Sequence, residues 1–233
     1  TKSWWDQKAQ KELQMQGITF FTSGNLSLAN NEAAMVILMN KKLLEDYGLD
    51  TVSPYDMVKD GTWTFEKFTS LGKQVSEDLN NDGEMDENDR YGLLIWDDSA
   101  IGVIGAIGER CCTVDPATGE IGLTLYNERV ISALEQYFSL AFDKQHALCY
   151  QRIPGMTGSA LFGGNHGVFI ATYMGLVRSQ REMEDDFGIL PYPKLDEAQQ
   201  NYNSLIAPYN SMYTCVPLVQ AEAERTGVIN EAL

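Results

Sequence analysis

The longest unbroken apolar run in the chain is AAMVILM, residues 33–39. A run with no polar break predicts a strand covered on both faces. It leads into NKKLLEDYGLD, where Leu43, Leu44 and Tyr47 share one helical face and Gly48 followed by Leu49 supplies a left-handed stop. Ser53 can cap a second short helix, with Pro54 at its first position and Gly61 at its end. TWTFEKFTSLGKQVSEDL sets Phe65, Phe68, Leu71, Val75 and Leu79 three and four apart, so it predicts an amphipathic helix opened by Thr64 and running into the acidic residues beyond. YGLLIW (91–96) predicts a strand. NERVISALEQYFSLAFDKQ predicts a long helix capped by Asn127, with Ile131, Leu134, Phe138 and Phe142 inward. Two more strands, GVFIATY and FGILPYP, bracket a charged helix, GLVRSQREMEDD. Strands alternating with helices indicate an α/β or α+β domain.

Composition narrows the partners. With 233 residues, 44% of them hydrophobic, the chain can bury a core as one large domain or two small ones. Thirty-three acids against seventeen Lys and Arg give a net charge of -16, a field that repels phosphate backbones, so no nucleic acid partner is expected. The longest apolar stretches are too short or too broken for a spanning segment. The first residues, TKSWWDQKAQ, carry neither a basic nor an apolar leader region, which leaves secretion open because mature secreted chains lack one too. Cys111, Cys112, Cys149 and Cys215 show no C-x-x-C spacing, which argues against zinc or redox motifs. Two readings remain for them: buried free thiols, or one disulfide joining Cys149 to Cys111 or Cys112.

The stretch DLNNDGEMDEND (78–89) places Asp78, Asn80, Asp82, Gly83, Asp86 and Asp89 at positions 1, 3, 5, 6, 9 and 12 of a calcium-loop pattern, with Glu84 offering its backbone carbonyl at position 7. Calcium takes oxygen ligands, glycine permits the turn, and a cation would relieve the mutual repulsion of the carboxylates. Asp in place of Glu at position 12 resembles dockerin loops. A strand rather than a helix follows, so a structural calcium stapling the preceding helix to that strand is expected, not a sensor.

Catalytic signatures are missing from the sequence. The two histidines, His146 and His166, sit in no motif, and there is no nucleophile elbow, H-E-x-x-H or phosphate loop. The large rings say more. Sugar rings stack their C–H faces on Trp and Tyr while Asp, Asn and Glu accept their hydroxyls, so IWDD (95–98) at a strand's C-terminal end suits a carbohydrate pocket. Trp63 and Phe65, around a helix start, read as packing.

The succession WWD, EAAMVILMNKKLLEDYGLD, PYDMVKDGTWTFEKF, DLNNDGEMDENDRYGLL, LFGGNHGVFIATYMG, FGILPYPKLDEAQQNY and VPLVQAEAERTGVINEAL resembles the extracellular solute-binding proteins, family 1, of ABC importers. The resemblance implies an α/β, periplasmic-binding-protein type II-like fold of two lobes, a hinge of crossing strands and a sugar held between them. Members are longer than this chain, so residues 1–233 resemble mainly one, C-terminal lobe, with hinge segments near 33–39 and 207–217. By position, Trp96 and Tyr173 are implied as stacking platforms, Asp97 as a hydroxyl acceptor and Met174 as a wall. Asn25 and Glu32, near the hinge, are further candidates for ligand contact. The implied function is non-catalytic binding of a sugar or oligosaccharide outside the membrane, with ABC permease subunits as partners and a lipid anchor holding the protein at the cell surface. The alternatives are a calcium-containing carbohydrate-active enzyme, an accessory carbohydrate-binding module, and a calcium-regulated interaction protein.

Overall fold

The computed structural model describes residues 2–15, 17–25, 27–115, 117–207 and 209–232. A short helix, α1 (Gln7–Glu12), opens the chain, followed by a small hairpin, β1 (Gln14–Met15) and β2 (Ile18–Thr19), and one helical turn, α2 (Ala29–Glu32). The apolar run then becomes β3 (Met35–Asn40), buried throughout. Its continuity has a simple cause: Met35, Ile37 and Met39 enter one hydrophobic cluster while Val36 and Leu38 enter another on the opposite face.

Asn40 ends the strand and caps α3 (Lys41–Asp46), accepting the Leu43 amide at 3.0 Å. α4 (Pro54–Asp60) has Ser53 as its cap and Gly61, at φ 76°, as its left-handed stop. α5 (Phe65–Gly72) opens on Thr64 but ends earlier than its apolar spacing predicts. Ser76–Glu77 is instead a short strand, β4, paired antiparallel with β5 (Arg90–Ile95), and Leu79 is partly exposed. Pairing with the neighbouring strand overrides the helical period there, so the acidic loop joins two strands rather than a helix and a strand.

α6 (Ser99–Ala106) is a helix that its glycines hide from propensity. A Cβ on Gly102 would lie 2.5 Å from the Tyr192 ring, and one on Gly105 would lie 2.6 Å from Leu205, so these glycines allow the helix to sit against its neighbours. The hairpin β6 (Cys112–Val114) and β7 (Ile121–Leu123) precedes α7 (Glu128–Ala141), which Asn127 caps as expected. The inward face of α7 is Val130, Ala133, Tyr137 and Leu140, turned from the expected one. Leu134 and Phe138 only flank the core, whereas Ile131 and Phe142 are exposed. The helix is set by its contacts with α5 and α6, including the Tyr137 hydroxyl bonded to Ser99 at 2.9 Å, and Phe142 stacks outside on Phe138.

β8 (Ala147–Cys149), α8 (Gly158–Gly163), β9 (Gly167–Tyr173), β10 (Phe187–Leu190) and α9 (Ala223–Ala232) complete the chain. The stretch expected as a charged helix after β9 is a 3-10 segment, Met174–Gln180, followed by turns. In the mixed sheet the order is β10-β3-β9-β5-β4, and β8 also pairs with β5. β8 and β9 run parallel to β5, whereas β3 is antiparallel to β9. β10 is also antiparallel to β3, so the C-terminal ends of four strands, β5, β8, β9 and β10, lie on the side where β3 starts.

At that edge a returning segment closes on the chain entering β3: the Met35 amide donates to Leu205 at 2.9 Å and the Ala207 amide to Ala33 at 2.8 Å. Further out, Thr22 and Thr214 exchange both backbone bonds. Of the expected hinge segments, 33–34 thus lies beside 205–207, residues 35–39 lie inside the sheet, and Pro208 falls outside the described residues. The cysteines are free thiols; Cys111, Cys112 and Cys215 are exposed and Cys149 is half-buried, so neither full burial nor a disulfide is found. Among the described residues no helix is long and apolar enough to cross a membrane.

Candidate ligand-binding site

The sheet edge where β5, β8 and β9 end gathers the side chains named for ligand contact. Trp96 follows β5 and its ring meets Tyr173, the last residue of β9, at 6.2 Å between centroids and an interplanar angle of 69°. Tyr209, brought in by the returning segment, meets the same indole at 5.5 Å and 86°. Such edge-to-face contacts are favoured by the ring quadrupoles. Trp96 and Tyr173 are half-buried and Tyr209 is 48% exposed. The Trp96 Nε1–H is buried without an acceptor among the described residues. A buried donor left unpaired costs about 1–3 kcal/mol, which an incoming oxygen would offset. The Tyr209 hydroxyl is pushed up to about 12 by burial first, then by the charge of Asp98 and by Tyr173, so it remains protonated at neutral pH.

The two aspartates after Trp96 differ. Asp97 Oδ1 accepts from the Cys149 thiol at 3.2 Å and from Arg152 Nε at 3.1 Å, and the Asp97 amide donates to Gln151 at 3.0 Å. The Cys149 bond first, and Arg152 second, hold its carboxyl below the usual carboxylate value. Burial, followed by the Asp97 bond, pushes the Cys149 thiol up. Asp98 stands at the N-cap of α6 yet makes no capping bond; it is exposed. Met174, next after Tyr173, is half-buried and packs against the cluster of Val36, Leu38 and Ile170 on the opposite sheet face from the cluster that Trp96 joins, its amide donating to Ala34 at 2.9 Å. Glu32 accepts from Arg178 at 2.7 Å. Asn25 is exposed and tied through its amide to Trp4, apart from this group. The structure thus brings Trp96, Asp97, Tyr173, Met174 and Glu32 to one edge. To these it adds Tyr209, Asp98 and Arg152, whose grouping depends on chain return rather than local pattern.

The acidic loop lies elsewhere, at the opposite end of β5. Asp78 accepts the amides of Asn81 and Gly83 at 2.6 and 2.8 Å, Asp82 accepts that of Glu84 at 2.9 Å, and Gly83 adopts φ 86°. Asn80 accepts the Asp82 amide, and Asp86 accepts the Asn88 amide. Asp89 is fully buried and closes the loop by accepting from Leu79 at 2.9 Å and Asp86 at 2.8 Å. The donor types suit calcium, but in this arrangement they face the loop's own amides. Among the described residues no three His, Cys, Asp or Glu side chains converge as a ligand set. His166 Nδ1 lies 2.9 Å from the Asp89 carbonyl, and His146 lies beside Asp143.

Comparison with solved structures sets this geometry in context. The chain superposes on the galacto-N-biose-/lacto-N-biose I-binding protein of an ABC transporter from Bifidobacterium longum, in complex with lacto-N-biose, with a TM-score of 0.61 at 10% identity, covering 98% of this chain and 51% of that one. UgpB from Mycobacterium tuberculosis, in complex with glycerophosphocholine, gives 0.61 at 13% identity over 98% and 52%. The maltose/maltodextrin-binding domain MalE from Bdellovibrio bacteriovorus, bound to maltotriose, gives 0.58 at 17% identity over 96% and 51%. No protein-family model matches the chain, and no curated protein does. The fold is that of the type II solute-binding proteins, as the resemblance implies, and the chain spans about half the length of these structures.

Proposed function

We propose that the chain is part of a non-catalytic, extracellular or periplasmic solute-binding component of an ABC importer, held at the membrane by a lipid anchor, and that it binds a sugar or oligosaccharide at the edge carrying Trp96, Tyr173 and Tyr209. The observation that carries this reading is the meeting of those rings at the C-terminal ends of parallel strands, with carboxylates beside them. Support also comes from neighbours whose bound molecules include lacto-N-biose and maltotriose. In this reading residues 33–34 and 205–207 belong to the strands that connect to a second lobe, closure of which would complete the cleft and be read by permease subunits. Isothermal titration against maltotriose, lacto-N-biose and glycerophosphocholine, with chromatography of the same mixtures, tests it. Saturable binding without products supports the reading; hydrolysed products favour the carbohydrate-active enzyme instead.

The loop 78–89 is proposed to hold a structural calcium, with Asp78, Asn80, Asp82, Asp86 and Asp89 as side-chain ligands and Glu84 through its carbonyl. Bound calcium would neutralise the clustered carboxylates and fix the β4–β5 connection. Adding calcium to EDTA-treated protein should raise Tm with little change in circular dichroism. An unchanged Tm together with no stoichiometric calcium uptake would remove the metal from the description.

A further inference from the structure

We infer that Tyr209 and Asp98 complete the ligand-contacting surface begun by Trp96 and Tyr173, and that this surface takes an uncharged saccharide in preference to an anionic one. The inference rests on the sugar-binding reading above and specifies its ligand class.

Geometry comes first. Tyr209 approaches Trp96 more closely than Tyr173 does, 5.5 against 6.2 Å, and stands nearly perpendicular to it at 86°. Three rings therefore meet in a corner whose walls can cover more than one face of a pyranose, and Tyr209 is the wall with the most free surface. The Trp96 indole N–H is a buried donor without an acceptor among the described residues, which a ligand oxygen could satisfy.

Charge pairing then selects the ligand. Both guanidiniums at this edge are already engaged, Arg152 with Asp97 and Arg178 with Glu32. The Asp97 oxygen that faces Cys149 and Arg152 is likewise occupied. Asp98 remains: it is exposed, its carbonyl accepts the Ile101 amide at 3.0 Å, but its carboxylate caps no helix and has no hydrogen bond or ion pair among the described residues, its charge instead reaching the Tyr209 hydroxyl. A carboxylate accepts hydroxyl hydrogens strongly and repels a second carboxylate. With a chain charge of -16 behind it, the uncommitted charge at the rings favours hydroxyl-rich neutral ligands over uronates or phosphates.

The test is an NMR titration giving Kd for maltotriose, lacto-N-biose, raffinose and trigalacturonic acid against the wild type, Tyr209→Ala, Tyr209→Phe and Asp98→Asn. The wild type should bind at least one neutral saccharide at least tenfold more tightly than trigalacturonic acid. Removing the ring in Tyr209→Ala should weaken that saccharide about fivefold or more, while Tyr209→Phe stays within about twofold. Asp98→Asn should weaken it about tenfold and narrow the gap to trigalacturonic acid. Unchanged melting temperatures of the variants, whose sites are exposed, exclude unfolding as the cause. If the wild type binds a neutral saccharide but Tyr209→Ala and Asp98→Asn bind it equally well, or trigalacturonic acid binds as tightly, this inference falls and the sugar-binding reading stands. If the wild type binds none of the saccharides, both fall.

Discussion

Gly92→Ala is expected to be among the most damaging small substitutions in the protein. Gly92 lies in β5, the strand that delivers Trp96, where it passes the C-terminal end of α5. A Cβ placed there would come 1.9 Å from the Gly72 carbonyl oxygen, 2.5 Å from its carbon and 2.7 Å from its Cα. Every obstacle is backbone, so no rotamer change relieves it; either the strand or the helix end must move by more than 1 Å. Overpacking in well-packed sites costs about 1–3 kcal/mol, and a clash of main chain with main chain belongs at or above the upper end, about 3 kcal/mol. For a chain of this size that corresponds to a fall in Tm of roughly 6–12 °C. Gly72→Ala provides the internal contrast. Its Cβ would meet the Leu140 side chain at 2.5 Å, a contact a flexible side chain can yield, and alanine is the better helix former, so the net loss should stay near about 1 kcal/mol. Differential scanning calorimetry of both variants decides the matter. If Gly92→Ala melts within about 2 °C of the wild type, or Gly72→Ala is the worse of the two, the close strand–helix approach described above is wrong.

Other expectations follow from single groups. Asp89→Ala removes a buried carboxylate that accepts two amides and should cost about 3 kcal/mol in urea unfolding, whereas Glu84→Ala, on the exposed rim of the same loop, should change stability little. Cys149, half-buried and with its thiol pushed up, should react with iodoacetamide more slowly at neutral pH than exposed Cys111, Cys112 and Cys215, and its rate should climb as pH rises; peptide mapping that finds Cys149 labelled first would contradict this. Because the Asp97 pKa is depressed, its ion pair with Arg152 is present at neutral pH and lost only as pH falls below the ordinary carboxylate value, while Tyr209 keeps its proton until about 12. Saccharide affinity should therefore be flat from about pH 5 to 9, and a titration midpoint inside that window would require another group.

Much of the fold was legible because it rests on local signals: the two-sided burial within the apolar run 33–39, the caps at Ser53, Thr64 and Asn127, and the left-handed stops at Gly48 and Gly61. Where the reading failed, a distant partner had decided the outcome. β4 replaces the end of a helix because β5 offers it hydrogen bonds, α7 turns its face to suit α5 and α6, and α6 is a helix whose glycines answer to Tyr192 and Leu205. The site divides in the same way. Trp96 stood in the IWDD motif at a strand end that the hydrophobic pattern shows, whereas Tyr173 was placed beside it only through the family resemblance. Tyr209 could not be assigned to them, since only the pairing of 205–207 with the entry to β3 carries it there. Asp98 stood beside Asp97 in the same IWDD motif, and the choice between them needed the positions of Cys149 and Arg152.

The central claim is that the ring-lined end of β5 and β9 is where a saccharide docks, and the indole N–H spectrum of the ¹⁵N-labelled wild type tests it most directly. During titration with maltotriose or lacto-N-biose, the resonance of Trp96, assigned by its loss in Trp96→Phe, should shift and saturate while that of core-buried Trp63 holds still. A saturating shift at Trp4 or Trp5 with Trp96 unmoved would place the ligand elsewhere, and no shift at any indole at millimolar saccharide would contradict the claim outright.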